Sequence, residues 1–270
     1  MTVLETLHCP PRWPWHALLA FALSQLLALA VWLIAGWGWG LAVLLATHAL
    51  FLLPVFLPNS GFYTPVVRRL ADLRDTVDAA VWLTIDDGPG PDTPAVLDLL
   101  DRYGASATFF VVGERAAAQP EQVRELLRRG HQVGNHSYSH PERRFWRLGP
   151  RAMAREIGLC QQAVEAITGQ APRWYRSVVG MTNPFVGPLL APLRLTRVGW
   201  SARGFDGVDC TPEQVLARLL PGLRPGAVVL LHEGSGHGHN LAIIEGVLKG
   251  LEERGLRTYL PPEPPLPAGN

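Results

Sequence analysis

The sequence predicts an α/β protein in which a parallel sheet or barrel follows a pair of hydrophobic helices. Near the N-terminus, two long stretches contain no Asp, Glu, Lys or Arg. Between residues 80 and 260, short apolar runs alternate with helical patterns, which is the order of repeated βα units. Acidic residues and histidines follow several of the predicted strands, where the functional groups of such folds gather.

The composition excludes several classes of protein. The 270 residues carry a net charge of only +1, and 17% are charged, so no nucleic-acid partner is expected. The three cysteines are odd in number and far apart, with no CxxC pair. Neither a disulfide framework nor a cysteine zinc cluster is therefore predicted.

The first 60 residues are expected to form a transmembrane helical hairpin. The runs at about 15–35 and 40–57 approach the roughly 20 apolar residues that a span needs, although Pro54 interrupts the second. A cleaved signal peptide ending near Ala30 and a bent interfacial second helix are the alternatives. Tryptophans cluster at the presumed ends, as interfacial anchors do: Trp13, Trp15, Trp32, Trp37 and Trp39.

The arginines around these runs indicate an orientation. Arg12 precedes the first run, Arg68, Arg69 and Arg74 follow the second, and the connecting loop is uncharged. The positive-inside rule then places both ends in the cytoplasm, although three aspartates lie among those arginines. We expect a multi-pass protein of a bacterial-type inner membrane that contacts membrane lipids and has a cytoplasmic catalytic domain.

Three further segments follow the hairpin. We expect a juxtamembrane linker at 61–79, a catalytic domain at 80–260 and a proline-rich tail at 261–270. The predicted strands of the domain are "AVWLTI", "SATFFVVG", "HQVGNH", "GAVVLLH" and "LRTYL". The predicted helices run from Thr93-Pro94 to Gly104, from Pro120 to Gly130, from Met153 to Gly169, from Thr211-Pro212 onward, and over Leu241–Arg254.

The stretch "TIDDGP" places Asp86 and Asp87 side by side at the end of the first predicted strand. Adjacent carboxylates repel, and a partly buried one must be paired, bound to a metal or protonated. An ordinary Asp-Gly-Pro turn is the alternative.

The stretch "NHSYSH" places His136 and His140 four residues apart, so that both imidazoles could bind one metal ion. Pro141 predicts one turn in a loop rather than a helix, and no glutamate follows His136, which argues against a metalloprotease. Two surface histidines are the alternative.

Arg176 and His232 are further candidates, but each is a weak signal unless it is combined with the other motifs. Arg176 lies in an apolar, strand-like setting and needs an anionic partner, which a catalytic aspartate or an ordinary ion pair would supply. His232 ends the apolar strand "VVLLH", where a lone histidine is more often structural.

In this order, the motifs resemble those of the polysaccharide deacetylase family, the NodB-homology or carbohydrate esterase family 4 group. "TIDDGP" is similar to its T-F-D-D-G-P motif, and "HSYSH" to its H-[ST]-x-x-H motif. "RSVVG" with Asn183 beyond, "GWSARGFDG" and "LLH" are similar to its three later motifs. The resemblance covers about residues 80–260 and implies an irregular (β/α) barrel of the NodB-homology type.

The resemblance also implies roles for individual residues. The expected ligands of a divalent ion, with Zn²⁺ the expected metal, are Asp87, His136 and His140. Asp86 would be the general base paired with Arg176, and His232 the general acid oriented by Asp206. The backbone N–H of Val179 would bind the oxyanion.

The chain departs from the family pattern at the substrate groove. Ser177, Val178 and Val179 replace Pro-Pro-Tyr, and Gly207 and Glu233 replace Trp and Asp. The usual polymer substrates are therefore doubtful. His237 and His239 are assigned to a flexible glycine-rich loop, with contacts to substrate or metal as alternatives.

The expected function is removal of an N-acyl group, acetyl or formyl, from an amino sugar of a glycan or lipid-linked saccharide at a membrane. A catalytically inactive carbohydrate-binding relative is the alternative, and a membrane scaffold ranks last.

Overall fold

The computed structural model of the protein describes residues 14–74 and 78–263. Its helices are α1 (Trp15–Ala35), α2 (Trp37–Phe56), α3 (Thr93–Arg102), α4 (Gly113–Ala118), α5 (Pro120–Arg128), α6 (Pro150–Thr168), α7 (Gly187–Leu190), α8 (Pro212–Leu219) and α9 (Asn240–Glu252). Its strands are β1 (Ala80–Asp86), β2 (Thr108–Val111), β3 (Gln132–Asn135), β4 (Trp174–Tyr175), β5 (Thr196–Arg197), β6 (Ala202–Arg203), β7 (Val228–His232) and β8 (Arg257–Thr258).

Helices α1 and α2 form an antiparallel hairpin joined at a single residue, Gly36, whose φ of 95° only glycine adopts readily. The second helix begins at Trp37 rather than near residue 40, because Gly38 and Gly40 continue the helix instead of forming the connection. A Cβ on Gly40 would lie 2.4 Å from Cβ of Trp32, so this glycine lets the helices approach closely. Both helices are long and apolar enough to cross a membrane, a test that a signal sequence near an N-terminus also passes.

The strands form one parallel sheet in the order β5-β4-β3-β2-β1-β7-β6, with β8 also paired to β1. The register aligns Asp86 with Phe110 of β2 on one side and with His232 of β7 on the other. This alternation of strand and helix confirms the predicted irregular (β/α) architecture of the NodB-homology type. It brings the ends of the strands to a common edge, where the loops can build a site.

The sheet is buried on both faces, as expected for parallel strands. Val81, Leu83 and Ile85 of β1 pack outward against the helices. Trp82 points inward, where its ring contacts Trp174 at 4.8 Å between centroids and its Nε1 donates to Thr108 Oγ1 at 2.8 Å. Aromatic side chains therefore fill the interior of the curled sheet.

The segment after the hairpin is packed against the sheet, where the sequence suggests a linker. Val67 forms a parallel bridge with Val198, and Arg69 forms an antiparallel bridge with Ala227. Asn59 holds the backbone of Trp200 with both ends of its amide: Nδ2 donates to the carbonyl at 2.8 Å, and Oδ1 accepts from the N–H at 3.2 Å. This segment is thus an integral part of the domain.

Arg197 of β5 also holds this segment in place through hydrogen bonds. Its guanidinium is buried and donates to the carbonyl oxygens of Pro58 at 2.9 Å, Ser60 at 2.9 Å and Gly180 at 3.2 Å. Burial lowers the pKa of this arginine. One side chain therefore joins the exit of the hairpin to the loop that follows β4.

Candidate active site

Side chains from several strand ends line one pocket at the C-terminal edge of the sheet. β1 supplies Asp86 and the residue after it, the loop after β3 supplies two histidines, and β7 supplies His232. The lining includes Asp86, Asp87, His136, His140, Val179 and His232. The residues that the motifs single out between Asp86 and His232 are thus neighbours in space.

Asp87, His136 and His140 converge, with potential ligand atoms all within 4.8 Å of one another. Asp87 Oδ1 lies 3.4 Å from His136 Nε2 and 3.1 Å from His140 Nε2. His136 Nδ1 lies 2.8 Å from the carbonyl oxygen of Arg176, and by donating its proton there it leaves Nε2 free as a ligand. Asp87 Oδ1 is buried and faces both imidazole nitrogens. This donor set fits a divalent cation.

The surroundings of Asp87 keep its carboxylate ionised. Burial acts to raise its pKa, but the imidazoles of His136 and His140 outweigh burial and hold the pKa well below its usual range. Its backbone has a φ of 74°, in the left-handed region, and the guanidinium of Arg115 donates to its carbonyl oxygen. No sequence motif points to Arg115, because its role depends on a contact across 28 positions.

Asp86 forms a buried ion pair with Arg176. Arg176 Nη1 donates to Asp86 Oδ1 at 2.7 Å and to Thr84 Oγ1 at 2.8 Å, and both charged side chains are almost fully buried. Nη2 donates to the carbonyl oxygen of Gly199 at 2.9 Å, and the guanidinium lies over the ring of Phe110. The other oxygen, Asp86 Oδ2, lies 3.7 Å from His136 Nε2. One oxygen is therefore fixed, and the other faces the cation set.

His232 and Asp206 form a second pair on the opposite side of the pocket. Asp206 Oδ1 lies 3.0 Å from His232 Nδ1, and Oδ2 accepts from the His232 backbone N–H at 2.7 Å. Burial acts to lower the pKa of His232, but the carboxylate of Asp206 outweighs it and raises the pKa to about 9. The imidazole is therefore protonated at neutral pH, with Nδ1 held by the aspartate.

Val179 lies at the rim of the pocket in a left-handed conformation, with a φ of 53° and a side chain that is half exposed. The next residue, Gly180, is tightly packed, because a Cβ at this position would lie 2.5 Å from Trp200 and 2.6 Å from Pro58. A Cβ on Gly207 would lie 3.3 Å from the ring of His232. Without a side chain at Gly207, that face of the imidazole is open to the pocket.

Glu233 is a buried residue whose environment the sequence does not reveal. Its Oε2 accepts from Thr93 Oγ1 at 2.5 Å, while Oε1 has no hydrogen-bond partner among the described residues. A Cβ on Gly88 would lie 1.9 Å from Oε1, so the turn after Asp87 depends on glycine. Burial raises the pKa of Glu233 to about 7.

His237 is fixed in place, in contrast to the flexible loop that its glycine-rich surroundings suggest. Its Nε2 lies 2.7 Å from the carbonyl oxygen of Asp206, and its Nδ1 accepts from the His239 N–H at 2.9 Å. Asn240 adds a bond from Nδ2 to the carbonyl oxygen of His232 at 2.8 Å. This loop therefore supports the His232–Asp206 pair from behind.

The sequence comparisons with known proteins all match one family. The sequence profile of the polysaccharide deacetylase family matches residues 74–196. A chitooligosaccharide deacetylase of Bradyrhizobium sp. (strain ANU 289) is 34% identical over 198 residues, which cover 73% of this chain and 89% of that protein. The peptidoglycan-N-acetylglucosamine deacetylase PgdA of Listeria monocytogenes is 30% identical over 229 residues, with 77% of this chain and 48% of that protein covered.

Solved structures agree with this. A family 4 carbohydrate esterase from Streptomyces lividans superposes with a TM-score of 0.62 at 32% identity, covering 68% of this chain and 93% of that one. A CE4 family pseudoenzyme from Bacillus anthracis has the same fold, with a TM-score of 0.61 at 24% identity, over 68% of this chain and 64% of that one. Because a pseudoenzyme shares the fold, any activity must be argued from the site itself.

Proposed function

Because the chain belongs to the polysaccharide deacetylase family, we propose that it is a metal-dependent carbohydrate N-deacylase. The reaction is hydrolysis of an acetyl or formyl amide on an amino sugar. The observation that carries the proposal is the pairing of Asp86 with Arg176 and of Asp206 with His232 around one cation set. A carbohydrate-binding relative without activity has no need of an arginine-paired carboxylate and an aspartate-paired imidazole facing the same pocket.

Asp87, His136 and His140 are the proposed ligands of a divalent ion, for which Zn²⁺ is the best match to one carboxylate and two imidazoles. When bound, such an ion acts as a Lewis acid toward a carbonyl oxygen and lowers the pKa of water. The convergence of Asp87 Oδ1 with Nε2 of both imidazoles supports this assignment, since all three atoms can donate an electron pair to one ion.

The acid–base steps follow from the two pairs. Asp86, positioned by its hydrogen bond from Arg176, takes a proton from the attacking water as the C–O bond forms. His232 gives its proton to the sugar amine as the C–N bond breaks, and Asp206 stabilises the imidazolium beforehand. The backbone N–H of Val179 is the proposed donor to the oxyanion. The products are the free amine and a carboxylate.

We further propose that α1 and α2 hold the enzyme in a bacterial-type inner membrane as a multi-pass anchor, with membrane lipids around them. Their length and uncharged composition support this. The altered groove at Ser177–Val179 and Gly207 favours a lipid-linked or membrane-proximal amino sugar over soluble polymers.

The test is deacylation by the purified full chain of matched N-acetyl and N-formyl amino-sugar substrates, free and lipid-linked, with release of acetate or formate measured. Asp86→Asn should lower kcat by about 10²–10⁴-fold because it removes the general base, while bound metal is retained. His136→Ala should lose the metal.

Two outcomes contradict the proposal. A wild-type protein that binds these saccharides but cleaves none of them would favour the inactive carbohydrate-binding alternative. A fully active chain without a stoichiometric divalent ion would remove the metal assignment.

A further inference from the structure

The exit of the hydrophobic hairpin lies at the same end of the sheet as the catalytic pocket. Near the end of α2, the carbonyl oxygen of Val55 accepts from the N–H of Thr182 at 3.0 Å, in the loop after β4. Pro58 packs against Gly180 in the same loop. The chain reaches the opposite edge only later, where Arg69 bridges to Ala227 at the start of β7. The hairpin therefore leaves the domain beside a loop whose residues Val179 and Gly180 line the pocket.

An arginine-rich loop extends from the metal-ligand motif along this end of the domain. We define the arginine loop as residues 141–148, and three of its side chains, Arg143, Arg144 and Arg147, are exposed. In the part of the chain that the structure describes, none of the three forms an ion pair with a carboxylate. Glu142 is the acidic residue of the loop, and it contacts His140 Nδ1 at 3.3 Å. The loop thus presents unneutralised positive charge to the surroundings.

The depth of this loop relative to the hairpin is fixed by an aromatic contact. The ring of Trp146 lies 5.5 Å from the ring of Phe56, the last residue of α2. Asn183 Nδ2 approaches the carbonyl oxygens of Trp146 at 3.3 Å and Leu148 at 3.1 Å. The arginine loop is therefore level with the end of the helix that would leave the hydrocarbon core.

The rim of the pocket is apolar where it is exposed. Val179, Phe205 and Val208 line the pocket, and their side chains are 52%, 47% and 61% exposed. Glu142 of the arginine loop lines the same pocket. Exposed apolar groups, exposed arginines and a partly buried tryptophan around one pocket are the composition of a surface that meets lipid headgroups.

We propose that the arginine loop docks the catalytic mouth onto the anionic phospholipid headgroups of the bilayer that holds α1 and α2. The proposal rests on the membrane anchoring proposed above and adds a partner for a surface outside the catalytic machinery. An arginine near an anionic bilayer surface is attracted by about 1 kcal/mol, which corresponds to about 5-fold per residue. In this position the mouth receives substrates from the plane of the membrane.

The test uses the full chain in nanodiscs of phosphatidylcholine alone and of phosphatidylcholine with phosphatidylglycerol. Phenylglyoxal modification of Arg143, Arg144 and Arg147 is followed by peptide mass spectrometry. The rate should fall by about 5-fold or more in the anionic discs and recover in high salt, because the contact is electrostatic. Exposed Arg102, at the end of α3 and the opposite edge of the sheet, is the control and should react equally in both discs.

A second measurement separates docking from general shielding. In anionic discs, hydrogen exchange of residues 141–149 should be slowed, and the triple variant R143Q/R144Q/R147Q should lose that protection while Arg102→Gln keeps it. Equal phenylglyoxal rates in both discs, or protection that persists in the triple variant, overturn the docking proposal alone. A chain that does not insert into either disc overturns the membrane anchoring as well.

Discussion

The charge state of His232 depends mainly on the neighbouring carboxylate of Asp206, and Asp87 and Asp86 act in the same direction. Burial alone disfavours the imidazolium, yet Asp206 reverses the balance and raises the pKa to about 9. A histidine with that pKa keeps its proton throughout the neutral range, as a general acid requires. Its contribution to activity is thus present below about pH 9 and is lost as the pH rises through that value.

Asp206→Asn should move the alkaline limb of the rate profile to lower pH. Without the Asp206 carboxylate, only the charges of Asp87 and Asp86 oppose the effect of burial, so the pKa of His232 should fall. The measurement is kcat/KM against pH for wild type and variant, with Asp209→Asn, an exposed residue of the same loop, as the matched control. An unchanged alkaline limb in Asp206→Asn would show that another group sets it.

Buried Glu233 makes the free energy of unfolding depend on pH. Its pKa is raised to about 7 in the folded protein against an ordinary value of 4.5, so the folded state binds the proton more tightly. Stability from this group is therefore complete below about pH 4.5 and is lost as the pH rises through 7. The difference amounts to about 3 kcal/mol, since one pKa unit corresponds to about 1.4 kcal/mol.

Glu233→Gln should reduce the loss of thermal stability between pH 5 and pH 8. The amide is neutral at both pH values and keeps an oxygen for the Thr93 hydroxyl. Calorimetric or fluorescence melts at the two pH values give the measurement, and exposed Glu252→Gln is the control. If both variants lose as much melting temperature as wild type, Glu233 is not the source of the dependence.

Among the structural elements, the two-residue strand β5 joins the hairpin exit to the loop after β4 through Arg197. Arg197 is buried without a carboxylate partner in the described chain, and carbonyl oxygens of the hairpin exit and of the loop after β4 satisfy its guanidinium. Such a side chain cannot be removed cheaply, because several buried acceptors lose their donors together.

Arg197→Met should therefore destabilise the domain by about 2–4 kcal/mol and expose the segment 58–64 to protease. Thermal melts of the detergent-solubilised full chain and limited proteolysis give the two readouts. Arg194→Met, at an exposed position three residues earlier, should change stability by less than about 0.5 kcal/mol. Equal effects of the two substitutions would argue against the clamp.

Elements with a local signal were predictable from the sequence. Thr211 and Pro212 predict the start of α8, and the structure has Thr211 as the N-cap, with its side chain accepting from the Gln214 N–H. The end of α6 at Gly169, with a φ of 75°, follows equally from local chemistry. Helix α3 begins at Thr93 itself, one residue before the predicted Pro94, so Asp92 occupies the cap position.

Features that depend on distant contacts were not predictable in this way. The short helices α4 and α7 have no strong periodic pattern, and the packing of residues 58–70 depends on Asn59 and Arg197 meeting partners far along the chain. In the site, sequence motifs identify the titratable residues that converge on the pocket, such as Asp86, Asp87 and His232. The supports behind them, Arg115 and His237, contribute through single long-range contacts that no motif encodes.

In the whole molecule, the open end of the hairpin and the candidate active site lie on the same side. The connection between α1 and α2 is the single residue Gly36, so the start of α1 and the end of α2 lie at the same end of the hairpin. Arg68, Arg69 and Arg74 follow the hairpin in the chain, and the exposed arginine loop packs beside the end of α2 through the contact of Trp146 with Phe56. Arg12 lies outside the described residues. Positive charge beside helix ends favours the cytoplasmic face, whose leaflet is anionic.

We therefore predict that the catalytic domain faces the cytoplasm. Proteinase K added to intact spheroplasts should leave residues 80–263 uncut, and lysis should make them accessible, because only lysis admits the protease to that side. A periplasmic protein of the same cells serves as the control for access. Cleavage in intact spheroplasts would reverse the orientation and direct the search for substrates to extracytoplasmic glycans. Protection would restrict it to amino sugars available at the inner leaflet, such as lipid-linked saccharides before export.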